Sequence, residues 1–543
     1  MKKKFAIRFV FVTAVLLAVA PLSAFTPVSE LYPSRHWIYD ALAYLALESG
    51  ETTLGTNAPA SAAELRTYLH AIDYDRLGDV GRELYGKVEA LLGDTKPLAV
   101  TGLAEIDVRP EVSISARYIG DSSARFDFES IEDFDETKPF LSIPVKFGFT
   151  PYVTTYSGFT VREGYWASTL DRASTNLPLS ASAVDLNMPD TAYLSAGNDF
   201  CTAVIGRGAL TVGRTVSGSM VLSPSADRLN YASLTLFSPR LRFSMQPIEL
   251  DTNRFAYFHT ISFRPLPFLA FSFSEASLVN STLDLRYLNP AMVFHSYAGW
   301  RDDYGKDSDN DSTNDENSSV GSLMGLGVEA VPLPGVRLYG QFLMNQFQTS
   351  YEISLSEGAK SIPNALGGLA GTEAIRPFHS GYLRLTLEGT YSNPWMYILD
   401  NRAISYYASR KELVAPSGYT AERINTWLGS PYGPDTVSVN AAVSYEMPAR
   451  FKTAFSYRFI LRGDNGDDFF NSTATETYQN ASDAAGQTTP SGTVSRQHAF
   501  ALSGAWFPRE LLEIDGKLGY SLMNGSARSS SIIVSCSITR QLR

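Results

Sequence analysis

The chain has 543 residues, 44% of them hydrophobic and 12% aromatic, which suffices for a large core or for one large barrel. Its formal net charge is −11, so no basic excess advertises a nucleic-acid partner, and that class is set aside. The two cysteines, Cys201 and Cys536, are far apart and form no metal-type pair or disulfide framework; both read as packing residues.

The first residues are "MKKKFAIRFVFVTAVLLAVAPLSA". Three lysines, an apolar run and a small-residue end make residues 1–24 a secretory signal, with a mature chain beginning near Phe25. The apolar run is short for a bilayer span. No later segment offers about 18 uncharged apolar residues, so no transmembrane helix is expected.

Residues 25–98 read as a small helical unit. "PSRHWIYDALAYLALESG" carries Trp37, Ala41, Leu42 and Leu45 at helical spacing and stops at Gly50. "SAAELRTYLHAI" opens with Ser61 and Glu64, a capping box that satisfies free backbone donors at a helix start. Leu77, Val80, Leu84, Val88 and Leu91 then mark a third helix, ending at Gly93.

Residues 99–543 follow a different rule. In "VPLPGVRLYGQFLMN", Val336, Leu338, Phe342 and Met344 share one face, and Arg337, Tyr339, Gln341 and Asn345 share the other. A period of two means strand. The pattern recurs at Val437–Tyr445, at Phe451–Leu461, at Leu512–Leu522 and at Ile532–Ile538. Short proline-bearing turns join many of these runs: "FSPRLR", "RPLPFL", "VPLPGV", "EMPARF" and "WFPREL". Long polar stretches lie between, at 299–320, 348–378, 408–433 and 463–495.

Tight turns at one rim and long loops at the other are the habit of an outer-membrane barrel. The polar face carries Arg, Lys, Glu and Asp in strand after strand, which a packed interior would hold only at heavy desolvation cost. The apolar face is therefore assigned to lipid and the charged face to a wide lumen. The expected fold is an all-β transmembrane protein, an antiparallel barrel of about 18 strands behind a periplasmic helical unit.

Catalytic signatures are missing. There is no G-x-S-x-G, H-E-x-x-H or C-x-x-C, and the six histidines (His36, His70, His259, His295, His379, His498) are scattered. The protein reads as non-enzymatic, without cofactor or metal. The stretch "DSDNDSTNDEN" offers Asp307, Asp309 and Asp311, but the calcium-loop pattern would put Gly at Ser312 and Glu at Ser318, so it reads as a solvated acidic loop.

Residues 205–290 carry a further pattern. "IGRGALTVGRTVSGSMVLSPSADRLNY" is followed by "HTISFRPLPFLAFSFSEASLVNSTLDLRYLNP". With "LYGQFLMNQF", "LGSPYGPD" and the order signal, helices, barrel, the sequence resembles the Wzi-type capsule-assembly outer-membrane proteins across nearly its whole mature length. The resemblance implies an 18-stranded barrel, a helical bundle on the periplasmic side and lectin-like retention of capsular polysaccharide. By position, Gly206, Arg207, Gly213, Ser223, His259, Glu275, Asn289 and Pro290 match the family pattern. His259 and Glu275 share parity with aromatics assigned to lipid, so a bulge or a shifted register is expected there. The chain ends "SITRQLR", without a terminal aromatic.

The expected function is binding or anchoring of surface polysaccharide at the bacterial outer membrane. Aromatic and polar loop residues, Trp300, Arg301, Asp302, Tyr304 and Trp427, are the candidates to hold sugar. Outer-membrane lipid is the expected surround, and periplasmic export machinery is a candidate partner of the helices. The alternatives are a diffusion porin and a structural or adhesive barrel.

Overall fold

The computed structural model describes residues 28–93, 97, 99–100, 104–120, 138–162, 173–178, 188–294, 320–347, 363–399, 401–413, 421–447, 450–473, 484, 486–509, 511–525 and 528–542. The signal segment and the acidic stretch 307–317 lie outside these residues.

Alternating strands close into one antiparallel barrel of 18 staves. The last strand, Arg528–Gln541, pairs back onto Glu111–Ile119, with Ile533 opposite Ile119 and Gln541 opposite Glu111. Every proline-bearing turn named above joins two neighbouring staves. Closure pairs each barrel stave with two neighbours among the described residues, the condition for backbone to cross hydrocarbon.

The faces fall as the pattern requires. Arg337 is 4% exposed and its neighbour Leu338 is 48% exposed. The outward rows carry Leu326, Phe342, Leu385, Val439, Phe455, Leu518 and Ile532, all exposed, as lipid-facing side chains are in a barrel. The inward rows bury Glu373, Glu388, Asn440 and Arg458. Cys536 lies on the outward face, and neither cysteine is bonded.

One polar stretch is corrected. The run 348–378 is not a loop throughout, because Ala365–Phe378 is a full stave pairing with Val336–Gln346 and Gly381–Ser392. Gly367, Gly368 and Gly371 sit in it and blur the alternation. Within 408–433 the chain also forms a separate hairpin, Tyr407–Leu413 with Ala421–Trp427.

Three helices, α1 (Ile38–Ser49), α2 (Ala62–His70) and α3 (Asp79–Gly93), lie at the short-turn end. Short turns mark the periplasmic rim of such barrels. Gly50 ends α1 at φ 82°, a left-handed cap that glycine adopts without a Cβ penalty. Ser61 caps α2, its hydroxyl accepting from the Glu64 amide at 3.3 Å. Trp37 stands just before α1 and is partly exposed rather than facing the core.

The helices enter the barrel mouth. Ile38, Leu42, Leu45, Leu65, Leu84 and Val88 form a core that continues onto the wall at Val331, Ile375 and Tyr382. Glu64 does not reach back to its cap. It takes the Arg242 guanidinium at 2.6 Å and the Tyr68 hydroxyl at 3.2 Å, pinning α2 to the wall. Lys146 holds Glu30 at 2.8 Å, and Tyr382 donates to Glu48 at 2.6 Å.

Candidate functional site

The connection between strands Cys201–Gly208 and Leu229–Phe237 turns into the lumen. Its Leu210, Val212, Met220, Val221 and Leu222 are apolar and need a core, which the barrel interior supplies. Its free amides are met by polar wall residues. Glu388 accepts from the Val216 and Ser217 amides, each at 2.8 Å, and from the Tyr339 hydroxyl at 2.7 Å. Gln341 accepts from the Met220 amide at 2.8 Å. Gly213 turns the chain at φ 84°, where a Cβ would meet the Gln341 side-chain nitrogen at 2.6 Å.

This inward loop meets the helical unit. Ala58 and Thr211 form an antiparallel bridge, and Asn57 accepts from the Gly213 amide at 2.7 Å. Arg214 reaches Asp40 of α1 at 2.9 Å and Glu373 of the wall at 2.5 Å. Arg337 and Arg384 also bind Glu373, at 3.4 and 2.6 Å. Burial raises the Asp40 carboxyl, but Arg214, with Lys452 and Arg384, outweighs it and holds Asp40 below the usual carboxylate range.

Segments 393–399, 401–407 and 427–435 fold over the inward loop from the long-loop end. Ser223 donates its amide to the Leu428 carbonyl at 2.7 Å, Tyr397 donates to the Met220 carbonyl at 2.9 Å, and the Tyr406 hydroxyl bonds the Val221 carbonyl. The inward loop is thereby held from both ends of the barrel, by the helices on one side and these segments on the other.

Above the inward loop lies a polar cleft of ≈ 320 Å³ between the barrel rim and the Tyr407–Trp427 hairpin. Its charged walls are Arg207, Asp227, Arg228, Glu249, Asp251 and Arg410. Arg410 pairs with Asp227, Arg228 with Asp190 at 2.9 Å, and Arg423 with Asp251 at 2.5 Å. Beneath the hairpin, Arg254 donates to the carbonyls of Ala403, Ser405 and Tyr407 at 2.7, 3.1 and 3.1 Å. The cleft thus presents fixed guanidinium forks and carboxylates side by side. Such groups bond neighbouring hydroxyls, which both donate and accept.

The predicted residues part company. Arg207 is at the cleft and Gly206 beside it, where a Cβ would press on the Ala192 carbonyl. Gly213 and Ser223 belong to the inward loop. His259, Glu275, Asn289 and Pro290 gather elsewhere, on the outer wall. Trp427 is 5% exposed and packs on Phe470 at 4.5 Å, beneath the cleft rather than open to ligand. Trp300, Arg301, Asp302 and Tyr304 lie outside the described residues. Asp227, Arg228, Asp251 and Arg410 were not singled out from the sequence. Asp227 and Arg228 just precede strand Leu229–Phe237 and Asp251 ends Leu241–Asp251, while Arg410 lies inside Tyr407–Leu413 and carried no signal. Among the described residues no cluster of His, Cys, Asp and Glu suits a metal ion.

The closed barrel with its apolar outer band defines an outer-membrane β-barrel protein. No protein-family model matches the chain, and no curated protein matches it in sequence. Among solved structures it is similar to Wzi of Escherichia coli, a carbohydrate-binding β-barrel involved in group 1 capsule assembly: TM-score 0.55, 12% identity, over 95% of this chain and 99% of that one. Lower likenesses reach the outer membrane channel DcaP of Acinetobacter baumannii (TM-score 0.34, 9% identity, 82% of this chain and 100% of that one). They also reach opdK from Pseudomonas aeruginosa (TM-score 0.38, 9% identity, 80% and 99%).

Proposed function

We propose that this barrel retains surface polysaccharide at the outer rim, as a lectin-like binder that performs no chemistry. The observation that carries the reading is the cleft, where Arg207, Arg228 and Arg410 stand beside Asp227, Glu249 and Asp251 above the inward loop. A porin would need a clear lumen as its path, and the loop and helices that project into it support the binding reading. The fold likeness to a carbohydrate-binding barrel lends further support. Trp300, Arg301, Asp302 and Tyr304 belong to the proposed sugar-facing surface, and the outer side of the helical unit is the proposed contact for export machinery. The mature chain, after removal of residues 1–24, reaches the outer membrane.

The experiment pairs a glycan-binding screen on the refolded barrel with conductance in planar bilayers. Glycan binding that Arg410→Gln and Asp251→Asn both weaken, without steady conductance, is the expected result. A conducting barrel that binds no glycan would replace this reading with the porin.

A further inference from the structure

His259 and Glu275 face each other across neighbouring strands, in regular register. The bulge expected from the sequence is not there; the register shift of that pair comes only later, between Phe263 and Leu266. Both side chains do point outward, in the row of Ile261, Phe263 and Phe271, whose exposed side chains face lipid. Their lateral neighbours in that row are Met245 and Met324. An outer-membrane strand crosses hydrocarbon in roughly ten residues. Counted from Leu266 at the short-turn rim, that span reaches Ala256, so the pair lies inside the apolar band.

An ionisable pair at this depth is costly if it meets lipid. It does not, because His259 is 6% and Glu275 5% exposed. The cover is the chain that leaves strand Leu269–Val279. It doubles back down the outside of the wall, stacking Phe294 on His259 at 3.9 Å and Tyr287 on Tyr257 at 4.8 Å. Both rings are fully buried.

Much of the covering segment's backbone between Asp284 and Met292 is hydrogen-bonded. The Asp284 amide donates to the Tyr257 hydroxyl at 2.9 Å, and the Asp284 and Asn289 side chains accept from Arg286 and Ala291 at 3.0 and 3.1 Å. The Tyr287, Asn289 and Met292 amides donate to the carbonyls of Asp284, Arg286 and Asn289, and Pro290 has no amide to satisfy. Such pairing lowers the cost of placing non-sheet backbone beside hydrocarbon. Its far side shows Leu283, Leu285 and Val293, with Leu285 75% exposed, and the half-exposed Arg286 is neutralised by Asp284 at 2.8 Å.

We propose that residues 281–294 are a membrane element: a flap seated on the His259–Glu275 pair, with Leu283, Leu285 and Val293 in contact with the acyl chains of outer-leaflet lipid. Depth on the wall, the apolar side chains of the far side and continuity with the lipid-facing rows select lipid over an aqueous or protein partner. Four pattern residues that the cleft leaves unused, His259, Glu275, Asn289 and Pro290, then share one task, the seat and the bend of this flap.

The test uses the full barrel in liposomes, in a Cys201→Ser/Cys536→Ser background. Single fluorophores are placed at Leu285→Cys and Val293→Cys, with Leu518→Cys as the lipid control and Thr252→Cys as the aqueous control. Lipids bearing a nitroxide on the acyl chain should quench Leu285 and Val293 labels within about two-fold of Leu518, while aqueous iodide quenches them several-fold less than Thr252. Iodide quenching equal to Thr252 overturns the proposal. So does protection from both quenchers, which would place protein, such as a second copy, on the flap. Tyr287→Ala/Phe294→Ala should move the Leu285 label into water while the barrel stays heat-modifiable; unchanged lipid quenching would refute the seating on these rings.

Discussion

Arg214 stands 2.9 Å from Asp40, and that pair ties a loop entering from the outer rim to a helix entering from the opposite end. The same guanidinium holds Glu373 on the wall, so three separate parts of the chain meet at one cation. A buried ionic group of this kind adds little over apolar packing, but losing one member is costly.

Asp40→Asn should therefore loosen the plug by about 1–3 kcal/mol. Arg214→Ala should cost about 3 kcal/mol, the low end for a broken buried pair, because Arg337 and Arg384 still hold Glu373. Faster amide exchange in α1 and in the inward loop, with the staves unchanged, is the expected readout.

Acid should loosen the helical unit in two stages. Burial pushes the His36 imidazole down to about 4, so its neutral form is the folded one. That contribution is present above its unfolded value of about 6.5 and lost as pH falls toward 4. Asp40, held below the carboxylate range, contributes above about 3.9 and fails only in stronger acid. Exchange protection of α1 measured down the pH scale should show both steps, His36→Gln removing the upper and Asp40→Asn the lower.

Glu388 anchors the inward loop through the Val216 and Ser217 amides and the Ser217 hydroxyl, and is itself held by the Tyr339 hydroxyl of the wall. Glu388→Ala leaves the Val216 and Ser217 amides unpaired and should cost about 3 kcal/mol, at roughly 1–3 kcal/mol per orphaned group. Intermittent openings in planar bilayers, not seen in the parent, would report the loop leaving the lumen.

The barrel and its faces were legible because alternation is a local signal, visible residue by residue. So were the helix ends at Gly50 and Ser61, where backbone geometry dictates residue type. The stave Ala365–Phe378 was obscured because its glycines carry no side chain to alternate. The inward loop was hidden for another reason. Leu210, Val212 and Met220 have no period, and only the folded wall decides that they go inside. Trp427 follows the same logic, since an aromatic in a long loop looks like a sugar platform until the loop folds over it. His259 and Glu275 were expected to leave the lipid face through a bulge; they stay on it, because the segment that shields them carries no periodic signal of its own.

The faces invite a direct test. Leu518 is half-exposed on the outer wall, so Leu518→Arg should destabilise assembly by about 2–4 kcal/mol near mid-bilayer. Lys517→Leu, one residue away and turned to the lumen, should be far milder. Heat-modifiable gel mobility of the two variants compares them, and equal damage would mean the faces are reversed.

The last prediction concerns orientation, on which the cleft depends. Thr252 sits in the turn between Leu241–Asp251 and Arg254–Leu266, at the long-loop rim and beside the cleft. Gly86 is exposed on α3, with nothing within 4 Å of its missing Cβ. If short turns face the periplasm, a membrane-impermeant thiol reagent on whole cells should label Thr252→Cys and spare Gly86→Cys. Permeabilising the outer membrane should then expose Gly86→Cys. The opposite pattern would turn the cleft toward the periplasm, where surface polysaccharide could not reach it. Thr252→Cys offers a second reading as well. A bulky label at that position narrows the cleft, so it should lower glycan binding several-fold while leaving the barrel folded. A label at Leu518→Cys, on the lipid face, should not.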